Sequence, residues 1–115
     1  MAFRNKAINL TSTSVTDLYT CPNGYDGVVH SLFISNTDAV NTVSFDVSVT
    51  FVTSGTVGTF YVGKNLAVAA GTTLIFDKPI NLRAGDKISI KASAANTSYV
   101  VASILLTAED TSAPN

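Results

Sequence analysis

Apolar residues fall at every second position along much of this chain. In Ser44–Phe51 (SFDVSVTF), Phe45, Val47, Val49 and Phe51 share one face, while Ser44, Asp46, Ser48 and Thr50 share the other. Successive strand side chains point to opposite sides, so this pattern predicts an antiparallel strand with one face buried and the other wet or partner-facing. Ile88, Ile90 and Ala92 repeat it against Ser89, Lys91 and Ser93. Val28–Ser35 (VVHSLFIS) and Tyr99–Leu106 (YVVASILL) are largely apolar on both faces. They predict central strands covered on each side. Phe60–Val62 and Leu66–Val68 are shorter candidates, with Gly63 between them as a bulge or bend.

The segments between these runs carry turn chemistry. Pro22–Gly27 is rich in residues that tolerate positive φ, and Asn36–Asn41, Thr53–Thr56, Ala70-Gly71 and Ala84-Gly85-Asp86 follow at short intervals. Asp77 and Asp86 read as turn residues that bond their own backbone. No window has a convincing helical period, because Gly71 closes the apolar run Ala67–Ala70 before two turns form. Strands at this spacing predict an all-β fold, an antiparallel β-sandwich of about eight strands. Jelly-roll and immunoglobulin-like topologies both fit that count. The 115 residues predict a single domain over 1–115, with a short N-terminal arm at 1–6 and a polar tail at 109–115.

Composition adds a statement about the surface. Charged residues make up 13% of the chain, against about 25% in ordinary soluble domains. Hydrophobic residues reach 46%, and much of the remaining polarity is Ser, Thr and Asn. A surface this poor in charge resists association weakly, which favours a subunit covered by copies of itself or by a partner. Seven basic and eight acidic residues are scattered to a net charge of −1, so no basic block supports nucleic-acid binding. No apolar run approaches the roughly 20 residues of a membrane-spanning helix. Met1–Leu10 lacks the apolar core of a secretory signal, and the Asn9 and Asn96 sequons read as chance matches.

Candidate chemistry is sparse. His30 lies inside a strand candidate and is expected to be packed or hydrogen-bonded to a neighbouring strand or loop. Cys21 is expected as a small buried apolar residue. One His and one Cys cannot build a zinc site, and no nucleophile elbow, calcium loop or phosphate-cradling loop occurs. The acids are dispersed, so no catalytic, cofactor or metal residues are assigned, and the chain reads as a non-enzyme. Phe33, Phe45, Phe51, Phe60 and Phe76 are expected in the core. Phe3, Arg4 and Lys6 are the candidate interface residues of the arm: Phe3 an apolar anchor, the two cations polar grip. Tyr25 is the candidate exposed aromatic for a protein or carbohydrate contact.

Two long phrases carry a resemblance. They are NLTSTSVTDLYTCPNGYDGVVHSLFISNTDAVNTVSFDVSV (9–49) and AAGTTLIFDKPINLRAGDKISIKASAANTSYVVASIL (69–105). With Asp17–Tyr19, Ser31–Asn36 and Asp77–Ile88 as markers, the chain resembles small β-sandwich structural proteins of tailed-bacteriophage virions, including cyanophage and other marine phage types. The resemblance implies a noncatalytic virion protein present in many copies, assembled in the host cytoplasm. A head decoration (cement) protein is the leading expectation, with itself and a major capsid or other virion protein as partners. A neck, tail or fibre component is the alternative, and a host-surface or carbohydrate-binding module is the alternative of another class.

Overall fold

A computed structural model describes residues 2–52 and 57–108. The Thr53–Thr56 turn and the expected tail at 109–115 lie outside the described residues. Among the described residues nine strands run in chain order: β1 Ala2–Asn9, β2 Thr16–Thr20, β3 Tyr25–Asn36, β4 Val43–Phe51, β5 Gly58–Val68, β6 Thr73–Phe76, β7 Ile80–Leu82, β8 Lys87–Ala92 and β9 Ser98–Ala108. No helix occurs among the described residues.

The pairing is nested. β1 pairs with β9, β2 with β8, β3 with β6 and β7, and β4 with β5, all antiparallel. This is one long hairpin, and wrapping it brings β3 beside β9 and β4 beside β8. The result is a sheet ordered β1-β9-β3-β6, with β7 also on β3, facing a sheet ordered β2-β8-β4-β5. That connectivity is a jelly roll, which strand count alone could not separate from an immunoglobulin-like sandwich. β6 and β7 occupy one edge of β3 in succession, at Leu32–Ser35 and Gly27–Val29. Pro79 sits in the gap between them, where it has no ladder bond to donate.

The core lies between the sheets. Phe45, Val47 and Val49 of β4 and Ile88 and Ile90 of β8 are buried, as are Leu32 and Ile34 of β3 and Val100, Ala102 and Ile104 of β9. Each large side chain so removed from water contributes about 1.5–3 kcal/mol. Cys21 is buried among them as expected.

Several local expectations change. The arm expected at 1–6 lies within β1 from Ala2 onward, paired with β9 along its whole length. The open edge of β9 supplies the hydrogen bonds that the unpatterned sequence RNKAIN gave no sign of. Tyr25–Gly27 already belongs to β3, so the turn before it is shorter than the Gly-rich sequence suggested. His30 is exposed rather than packed. It marks the bulge between the Val29–Ile104 and Ser31–Ser103 pairs. The extra residue shifts the inward positions of β3 from Gly27 and Val29 to Leu32 and Ile34, which explains why that run does not alternate cleanly. Among the phenylalanines, Phe45 is fully buried and Phe51 and Phe76 pack against the core, but Phe60 is 47% exposed. Phe60 lies on the edge strand β5, where little covers it.

Candidate functional site

The two outer faces of the sandwich differ sharply in chemistry. On the β1-β9-β3 sheet, the outward residues form cross-strand rows: Thr73–Ser35–Tyr99–Asn9, then Ile75–Phe33–Val101–Ala7, then Ser31–Ser103–Asn5, then Asn81–Val28–Leu105–Phe3. None of these residues is charged; the carboxylate Asp26 stands one row beyond, opposite Thr107. Ile75 is 55% exposed and Phe3 75% exposed. β3 and β9 were expected to be covered on both faces. Among the described residues only the inner face is covered; on the outer face Ile75 and Val101 are exposed and Phe33 is half-buried.

The outer face of the opposite sheet is polar. Asp17 of β2, Ser89 of β8, Ser48 of β4 and Tyr61 of β5 stand in one row, with Lys87–Thr50–Thr59 beside it and Lys91–Asp46 on the other flank. Small serines at the centre, ringed by longer side chains, leave a trough of about 470 Å³. Its carboxylates are held in place by the protein. Asp17 accepts from Ser89 Oγ at 2.9 Å and from Lys87 Nζ at 3.1 Å. Those bonds hold the Asp17 carboxyl below the ordinary carboxylate range, the Ser89 hydroxyl foremost. Asp46 accepts from the Asn65 backbone N–H at 2.8 Å and lies 3.4 Å from Lys64 Nζ, and the Asn65 bond likewise depresses its pKa. Asn65 reaches that position with φ of 54°, a left-handed conformation that Asn tolerates, beside the irregularity at Gly63. The Thr50 and Thr59 hydroxyls bond one another at 3.0 Å.

The structure separates the candidate interface residues. Phe3 joins the apolar outer face, whereas Arg4 and Lys6 occupy the alternate positions of β1, opposite Ile104 and Ala102. Lys6 lines a shallow depression with Asp17 and Tyr19 at the open edge of the sandwich. Tyr25 is exposed at the start of β3, opposite Ala108. Among the described residues no three His, Cys, Asp or Glu side chains cluster to hold a metal ion. Sequence reasoning did not assemble the Asp17–Ser89–Ser48–Tyr61 row. The available signal was the polar alternation of β4 and β8, which fixes a face but not its cross-strand neighbours.

The same architecture occurs in virus particles. A chain from the structure described as "Crystal structure of the T13 IBDV viral particle reveals a missing link in icosahedral viruses evolution" superposes with a TM-score of 0.57 at 15% identity, over 94% of this chain and 31% of that one. A chain from "Structure of infectious bursal disease virus Gx strain" gives 0.55 at 14% identity, over 99% of this chain and 35% of that one. At this identity the likeness is one of fold, and this chain spans about a third of those chains. No protein-family model and no curated protein sequence matches.

Proposed function

We propose that this chain is a noncatalytic structural subunit of a virion, and that it decorates a tailed-phage head in many copies. One observation carries the reading: the outer face of the β1-β9-β3 sheet presents four uncharged cross-strand rows with exposed Phe3, Ile75 and Tyr99, and none of the described residues covers it. Apolar patches of this kind mark contact surfaces in soluble proteins. The occupant that fits is a second copy of the chain. Two such faces meet without like-charge repulsion, and Ser, Thr and Asn among the rows supply hydrogen bonds across the contact. Repetition over a symmetric shell makes individually modest contacts effective. The jelly roll shared with chains of infectious bursal disease virus particles supports a shell setting, and the sequence resemblance to phage virion proteins supports decoration.

The deciding measurement is the copy number of this protein against the major shell protein in purified particles. Decoration requires at least about one copy per several shell subunits. A ratio far below one copy per several shell subunits would overturn decoration in favour of the neck, tail or fibre.

A further inference from the structure

We propose that the trough on the outer face of the β2-β8-β4-β5 sheet is a binding site for a neutral oligosaccharide. This goes beyond the structural role and does not rest on it. The volume of about 470 Å³ lies within the roughly 300–1,000 Å³ usual for ligand sites.

The functional groups select the ligand class. Carboxylates Asp17 and Asp46 are acceptors, Lys87 and Lys91 are donors, and the hydroxyls of Ser48 and Ser89 lie between them. A pyranose presents vicinal hydroxyls that each donate and accept, so it can satisfy both kinds of group at once. The acceptors are already oriented: Asp17 by Ser89 and Lys87, Asp46 by Asn65 and Lys64. Their ordering cost is therefore met before a ligand arrives. At one end of the row stands Tyr61, 60% exposed, with Lys64 Nζ 4.5 Å from its ring centroid. A cation on one face leaves the other for the C–H face of a sugar ring.

Other ligand classes fit poorly. Two ionised carboxylates beside the floor disfavour a strongly anionic ligand, and they balance the two lining lysines. The floor is the middle of a sheet, whose backbone bonds are already made by neighbouring strands, so an added peptide strand finds no edge there. An apolar ligand would strand the hydroxyls and charges.

The test uses the full chain on an immobilised panel of neutral, sialylated and sulfated oligosaccharides, with affinities measured by calorimetry for the best neutral binder. Tyr61→Ala and Asp17→Asn alter exposed side chains, and thermal melts establish that each variant is folded. Each is expected to weaken neutral-glycan binding by about tenfold or more, the scale of one hydrogen bond to a charged group. Tyr25→Ala, on the other sheet, should leave it unchanged. The proposal is overturned if no neutral glycan binds. It is equally overturned if binding is confined to sialylated or sulfated glycans and disappears with salt, or if Tyr25→Ala abolishes it while Tyr61→Ala does not.

Discussion

The carboxylate of Asp86 accepts a hydrogen bond from the backbone N–H of Val52 at 2.9 Å, across 34 residues of sequence. Its second oxygen accepts from the Arg83 N–H at 2.9 Å, and its backbone carbonyl accepts from the Cys21 N–H at 2.8 Å. One buried residue thus ties the Ala84-Gly85-Asp86 turn to the end of β4 and to the segment after β2. Gly85 makes the turn possible with φ of +88°. Asp86→Ala leaves two backbone donors without their partner and should cost about 2–6 kcal/mol at one to three per orphaned group. Asp86→Asn keeps one acceptor oxygen and should cost less. Urea denaturation of both variants checks the order.

Asn36 closes the other end of the sandwich. It is 2% exposed, its amide donates to the Asn41 and Val68 carbonyls at 2.9 Å each, and its carbonyl oxygen accepts from the Asp38 N–H. Asn36→Asp places a charged acceptor against two carbonyls and should destabilise more than the roughly 1–3 kcal/mol expected for Asn36→Ala. Equal midpoints for the two variants in denaturant would contradict this account.

Acid should weaken the fold. Asp17, Asp38 and Asp46 all have carboxyls held below their ordinary value: Asp17 first by Ser89, Asp38 by the Asn41 and Val40 N–H groups, Asp46 by the Asn65 N–H. Each binds its proton less readily folded than unfolded. The stabilisation is therefore complete above the unfolded pKa of ~3.9 and is lost as pH falls through the lower folded values. All three sites are near water, so the effect of each is small. Melting temperature should be level near neutrality and decline below the carboxylate range, and Asp17→Asn should make that decline shallower.

The two phenylalanines of the central and edge strands should differ. Phe45→Ala empties the centre of the core and should cost about 3–5 kcal/mol. Phe60→Ala, at an exposed position on β5, should stay within about 1 kcal/mol. Both were read as core from their strand positions, and paired denaturation curves distinguish them.

A charge on the open apolar face should separate copies without unfolding them. Val101→Glu faces outward between Phe33 and Ala7, so the melting temperature should barely change while light scattering detects loss of self-association. Unchanged association would remove this face as the contact between copies.

Alternation in β4 and β8, together with punctuation by Gly, Asn, Asp and Pro, determined strands and turns because a half-buried strand imposes period two on its own sequence. β1 escaped notice because an edge strand exposed on nearly every residue needs no such period. The bulge at His30 escaped because one extra residue changes parity without leaving a local signature.

The sequence by itself therefore determined the fold class, the face polarity of individual strands and the absence of any recognisable catalytic motif, all local consequences of side-chain order. Tertiary structure decided the jelly roll and the neighbours within each row. It left Ile75 and Val101 exposed on the outer face, and it set Asp17 beside Ser89 and Tyr61 across the sheet from Asp17. Those relations depend on pairings between strands distant in sequence, which a period-two pattern permits in many registers and only the packed sandwich selects.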